Sequence, residues 1–225
     1  MATHMAPLPD DPTIEELTGP LARAVARHAA FDGWTARAVA AAAADIGVDP
    51  AIARLAFPGG APDMIAAYIR ATDAAMLEAC DTEAFRAQKV REKVKGAIRT
   101  RLEMAAPDRE AIRRAASILS LPGNVPLATR LTWGTADAIW RAAGDTATDF
   151  NHYSKRAIAG AVYSATLFVW MADESEGFAD TWAFLDRRID GVMRFEKWKA
   201  RLNRGDGSER LSLVRFLGRL RYPPV

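Results

Sequence analysis

Apolar side chains recur along this chain at spacings of three and four, and the alternation of half-buried strands is almost absent, so the pattern predicts an all-α fold. A first helix is predicted over 13–30, opened by Thr13 with Glu16 three positions on, the reciprocal S/T-x-x-E cap. Thr35 caps a second over 36–46, which Gly47 closes, and Asp49 followed by Pro50 starts a short third that reaches Phe57. PGGAP at 58–62 breaks the chain. Asp63 then starts a longer helix with Met64, Ile65, Tyr68, Ile69, Met76 and Leu77 on one face. Further helices are expected at about 84–105, 108–120, 126–143, 149–172 and 177–200, with turns at LPGN (121–124) and AGD (143–145).

At 225 residues, half of them apolar, the chain is long enough for one substantial core and one domain. Its parts are an N-terminal stretch at 1–60, a helical body at 61–200 and a terminal amphipathic segment at 208–221. The single Cys80 provides neither a disulfide framework nor a thiolate cluster, which fits a reducing compartment. The start, MATHMAPLPDDP, has no apolar h-region and no Arg-rich amphipathic presequence, so a cytoplasmic location is expected. The longest uncharged run, 157–172, contains Tyr163, Ser164 and Thr166 and is too short and polar for a bilayer core of about 30 Å; it reads as a buried central helix.

The overall charge of +2 is unevenly spread: −3 over 1–60, −1 over 61–193 and +6 over 194–225. A basic end of this kind meets anionic surfaces. After the linker RGDGS, Leu213, Phe216, Leu217 and Leu220 form one helical stripe opposite Arg215 and Arg219, with Arg210 and Arg221 flanking it. This stripe predicts an in-plane contact with a membrane surface, with the arginines reaching to phosphates. Docking of the same stripe onto its own protein, or onto the mate in a homodimer, is the alternative.

The first three predicted helices, ending in Phe57 before a Pro-Gly loop, resemble the helix-turn-helix of a TetR-type repressor. The chemistry of DNA recognition is missing. A reading helix needs Lys or Arg for phosphates and hydrogen-bonding side chains for base edges, and residues 51–57 offer only Arg54 within an acidic stretch. Nucleic acid is therefore not an expected partner. The basic run at 89–101 lies outside that helix and reads as a solvated face.

Residues 140–156, WRAAGDTATDFNHYSKR, place acids, an amide, an imidazole and a phenol in one turn between two apolar helices. Asp149 is placed to cap the helix starting at Phe150, and Asn151, His152 and Tyr153 occupy its first exposed turns. With Asp137 on the preceding helix they form a candidate partner-binding surface, Tyr153 being the favoured anchor because a phenol offers an apolar face and a hydrogen bond. The following helix mixes small residues with Tyr163, Leu167 and Trp170, which fits either close packing or a cavity. Candidate walls for a lipid pocket are Met104, Leu119, Trp140, Tyr163, Leu167, Trp170 and Trp182. His4, His28 and His152 are isolated, and no HExxH, phosphate loop or dinucleotide fingerprint occurs, so no catalytic residue, metal site or cofactor is expected.

Four blocks across 33–193 carry a closer resemblance: GWTARAVAAAAADIGVDPAIARLAFPGG, RRAASILSLPGNVPLA, WRAAGDTATDFNHYSKR and DESEGFADTWAFLDRRID. They resemble the "coq-nine" lipid-binding accessory family of ubiquinone biosynthesis, most specifically in GDTATDFN and FADTWAFLDRRI. The resemblance implies a TetR-like fold, a bound lipid or isoprenoid quinone precursor, a surface for the demethoxyubiquinone hydroxylase, and a C-terminal amphipathic helix peripheral at the inner membrane. Where the family usually has Trp-Tyr at the partner surface, this chain has His152-Tyr153, which alters the chemistry of that contact. A ligand-sensing transcriptional regulator of the same fold is the alternative function.

Overall fold

The computed structural model describes residues 12–145 and 150–204, the side chains of 150–152 and 195–204 excepted. Among the described residues every regular element is helical: α1 (Ile14–Asp32), α2 (Ala36–Asp45), α3 (Pro50–Leu55), α4 (Ala61–Cys80), α5 (Glu83–Arg86), α6 (Val90–Met104), α7 (Arg109–Leu119), α8 (Val125–Ala142), α9 (Phe150–Ala172) and α10 (Ala179–Arg204). Three single turns of 3-10 helix precede α7, α8 and α10.

Local chemistry sets the helix ends. The Thr13 hydroxyl accepts from the Glu16 amide at 3.3 Å while the Glu16 carboxylate accepts from the Thr13 amide at 2.9 Å, the reciprocal cap expected for α1. Gly47, at φ 71°, closes α2 in the left-handed region, where the Val48 amide reaches back to the Ala43 carbonyl at 2.9 Å. Asp49 accepts from the Ala51 amide at 2.6 Å, with Pro50 as the first residue of α3.

Two predicted boundaries move. The fourth helix starts at Ala61 rather than Asp63, because Pro62 fits the first turn and the Asp63 carboxylate accepts from the Gly59 amide at 2.6 Å. The single helix expected over 84–105 is two. Thr82 caps α5 through the Phe85 amide at 3.2 Å, and the chain then bends so that the Phe85 ring lies over Gly96 of α6. A Cβ at Gly96 would meet that ring at 3.1 Å, so a side chain there would push the ring back by a few tenths of an ångström.

The residues up to Arg187 form one compact unit, and the rest of α10, from Arg188, falls in a second. In the first unit, Leu17, Leu21 and Val25 of α1, Val39 of α2, Ala53 of α3, Met64 and Ile65 of α4 and Ala111 and Ala115 of α7 share one buried cluster. The three N-terminal helices thus share their core with α4 and α7. Trp34 closes this cluster: its indole N–H donates to the Ala111 carbonyl at 2.9 Å and its ring meets Tyr68 edge-on at 5.6 Å.

The helix pair α8 and α9 packs against α4, α6 and α7. Gly160 faces Thr132 and Ala136 of α8, and a Cβ there would meet them at 3.5 and 3.7 Å, ordinary van der Waals contact. The last turn of α9 is held from α7. Arg109 and Arg113 both donate to the Met171 carbonyl, through their Nε atoms at 3.2 and 2.8 Å, and Arg109 also donates to the carbonyl of Asp173. Carbonyls that a helix end leaves without partners are satisfied here by cations, which also suit the negative end of the dipole. Below them the Asp173 carboxylate accepts from the amides and hydroxyls of Ser175 and Thr181. Burial works against its charge, but these four donors more than offset that and hold its carboxyl well below the usual range.

Candidate functional site

Helices α4, α6, α7, α8 and α9 surround an apolar cavity of about 230 Å³. Its inner wall is Tyr68, Leu102, Ala105, Ala115 and Tyr163, all buried; Ile69, Ile112, Leu119, Ala128 and Leu167 stand further out. It meets the surface at Ser120 and Phe168, the latter 65% exposed. The space exists because the facing positions on α7 and α8 carry alanine (Ala115, Ala116, Ala128) where larger side chains would fill it.

One polar network backs this wall. Arg101, only 4% exposed, donates from Nε to Asp73 at 2.6 Å and from a terminal nitrogen to the Tyr163 hydroxyl at 2.5 Å, its guanidinium lying 4.9 Å from the centre of that ring. Thr135 adds a hydroxyl to the Asp73 carboxylate at 3.0 Å. Burial pushes the Tyr163 phenol up, so it stays neutral near neutrality and Asp73 carries the countercharge for Arg101.

The candidate pocket residues divide. Leu119, Tyr163 and Leu167 line the apolar cavity. Met104 lines a different recess, beside Arg23 and Asp108. Trp140 is turned toward α9, its N–H donating to the Lys155 carbonyl at 2.9 Å and its ring 5.3 Å from the Lys155 ammonium. Trp170 is fully buried against Phe178, with ring centres 5.8 Å apart, and its N–H has no hydrogen-bond partner among the described residues. Trp182 packs on the other side of Phe178, 6.4 Å between centres, beneath the guanidinium of Arg99. Tyr68, Arg101 and Asp73 were not anticipated at the wall. The signal for Arg101 was present: it falls on the stripe Val94, Ala97, Ile98, Arg101, Leu102, the buried face of α6.

At the far end of α8 and α9, Tyr153 is 61% exposed and its ring lies 6.1 Å from that of Trp133, which is 38% exposed. Asp137 is drawn into an ion-pair network at this end. Buried Arg156 donates to Asp137 at 2.6 Å and contacts Asp145 at 3.4 Å, and Lys155 donates to Asp145 at 2.7 Å. Burial opposes the Asp145 charge, but the two cations more than offset it and hold its carboxyl below the usual range. Asp149, the side chains of Asn151 and His152, and the tail with Arg210, Leu213, Arg215, Phe216, Leu217, Arg219 and Leu220 lie outside the described residues.

An all-helical domain of TetR-like build, with an apolar cavity bordered by α8 and α9, is the class that this fold and site define. The chain superposes on a TetR transcriptional regulator from Nitrosomonas europaea with a TM-score of 0.62 at 21% identity, covering 77% of this chain and 96% of that one, a likeness of fold alone. Residues 125–196, which hold both the GDTATDFN and FADTWAFLDRRI blocks, match the COQ9 family, and the resemblance to that family read from the sequence holds. The chain is 36% identical over 168 residues to the mitochondrial ubiquinone biosynthesis protein COQ9 of Rattus norvegicus and 35% identical to that of Homo sapiens, covering 72% of its own length in each. It spans about half the length of these relatives, 54% and 52%. Among the described residues no helix is long and apolar enough to cross a membrane, and no group of three or more His, Cys, Asp or Glu side chains could hold a metal ion.

Proposed function

We propose that this chain serves ubiquinone biosynthesis as a lipid-binding accessory protein, taking the apolar tail of a quinone precursor into the cavity between α4 and α9 and presenting the molecule at the membrane to the demethoxyubiquinone hydroxylase. The cavity is the observation that carries the reading. An isoprenoid lifted from a bilayer forfeits about 0.8 kcal/mol per methylene, and an apolar sleeve restores part of that. In this reading the exposed Tyr153 and Trp133 meet the hydroxylase, the segment 208–221 meets phospholipid, and the protein works at the cytoplasmic side of the inner membrane without making or breaking a bond itself.

Gene regulation is the competing reading, since the structural neighbour is described as a transcriptional regulator. The outer side of α3 speaks for lipid over DNA: it exposes Ala51, Ile52 and Leu55 with Arg54 as its cation, and a major-groove contact needs several phosphate-binding and base-reading groups.

The test is extraction of the full chain, purified from cells that make ubiquinone, followed by mass spectrometry of the extract. A polyprenylated quinone precursor at near-stoichiometric level is expected. A preparation free of lipid and isoprenoid overturns the reading.

A further inference from the structure

Tyr68 borders two separate spaces. On one side is the apolar cavity of about 230 Å³; on the other is a recess of about 280 Å³ between α1, α4 and the corner joining α6 to α7. Among the described residues Tyr68 is the one side chain that lines both. We infer that Tyr68 is the end-stop of the apolar cavity, a specificity-determining residue that sets how much of a hydrocarbon chain the protein takes in.

The ring is held in place from two directions. Its hydroxyl donates at 3.0 Å to Asp108, which lines the recess, and the ring itself meets Trp34 edge-on at 5.6 Å. Burial, with the Asp108 carboxylate alongside, pushes the phenol up, so it keeps its proton and remains a donor. The polar part of the inner wall is closed in another way. Arg101 is tied to Asp73 and to the Tyr163 hydroxyl, and displacing it would strand buried charge. Behind Tyr68, by contrast, stands open space with Ala75, Met104 and Pro107 in its wall. A chain that passed the ring would find apolar surface there; with the ring in place it stops.

The cavity holds roughly seven groups of methylene size, at roughly 30 Å³ each. A polyprenyl tail is longer than that. In an assignment that rests on the lipid reading above, the protein therefore grips only about the first seven carbons of chain to enter, and the remainder stays outside the mouth at Ser120 and Phe168. Tail length beyond that stretch is not read. Removing the ring joins the two spaces and adds room for roughly nine more such groups.

The test is calorimetric titration of the delipidated full chain with straight-chain alcohols from pentanol to tetradecanol. Wild type, Tyr68→Ala and Tyr68→Phe are compared, the melting temperature being read for each. In the wild type, affinity is expected to rise about fourfold per methylene up to about seven carbons and then to level off. In Tyr68→Ala the rise continues past that length, so that tetradecanol binds at least about tenfold more tightly than to the wild type. Tyr68→Phe keeps the ring, loses the bond to Asp108, and levels off where the wild type does. A levelling-off at the wild-type length in Tyr68→Ala, or a wild-type rise that runs unbroken to tetradecanol, overturns the stop and leaves the lipid reading standing. An equal displacement in Tyr68→Phe and Tyr68→Ala also overturns the stop, because general loosening rather than the ring would then set the length. Binding of no alcohol to any of these proteins overturns both readings. Should Tyr68→Ala fail to melt cooperatively, Tyr68→Val carries the same comparison.

Discussion

Filling the apolar cavity from its own wall separates cargo space from a packing gap. Ala116 is half-buried on the α7 side of the cavity, and Ala116→Phe directs a ring into the space. A cavity of about 230 Å³ has room for roughly seven groups of methylene size, at roughly 30 Å³ each, the share of one water in the liquid. At about 0.8 kcal/mol per methylene, a ring that displaces about four of them removes about 3 kcal/mol of binding. That is an affinity loss on the order of 200-fold. Calorimetric titration with tetradecanol measures it, and scanning calorimetry on the same protein reads stability, which holds or rises because the ring fills an existing void. An affinity within about threefold of the wild type, in a folded variant, would refute the placement of the tail in this cavity.

Other expectations concern the groups around the cavity. Arg101→Met strands the Asp73 carboxylate beside a buried wall and is expected to cost about 3–5 kcal/mol in urea unfolding, part of which returns in Arg101→Met/Asp73→Leu; a cost below about 1 kcal/mol would show that the pair matters little. The Asp173 carboxyl titrates below its unfolded value, so its contribution is present above about pH 4, near the unfolded value, and is lost as pH falls through the lower folded value. Acid unfolding should therefore be steeper in the wild type than in Asp173→Asn, and superimposable profiles would contradict the assignment. Tyr153→Ala removes an exposed ring and should change stability by less than about 0.5 kcal/mol. In a pull-down the same variant should capture the hydroxylase at least about tenfold more weakly, as loss of an interface anchor does. Undiminished capture removes Tyr153 from that surface.

The caps of α1, α2 and α3 were legible because each rests on residues a few positions apart: Thr13 with Glu16, Gly47 after Ile46, Asp49 with Pro50. The break between α5 and α6 was not, since it depends on Phe85 folding back over Gly96, a contact that periodicity does not encode. Leu119, Tyr163 and Leu167 were readable as wall residues, but Trp140, Trp170 and Trp182 were not separable from them. An amphipathic pattern says that a face is covered; whether atoms or empty space stand opposite is set by the partner helices. Arg101 and Asp73 meet across 28 positions, and only the geometry of the bundle shows that a charge on an apolar stripe has its countercharge waiting. The resemblance of the 144–151 and 178–189 blocks carried the family assignment where periodicity could not.

The double grip of Arg109 and Arg113 on the last turn of α9 makes α7 a strut. Ala111 and Ala115 seat that strut in the N-terminal cluster, and Ile112, Ala115 and Ala116 line the cavity, so one helix borders both. The cavity mouth at Ser120 and Phe168 is therefore framed by two helices clasped one turn beyond Phe168, while the Arg101–Tyr163 hydrogen bond anchors the same α9 helix to α6 deeper in.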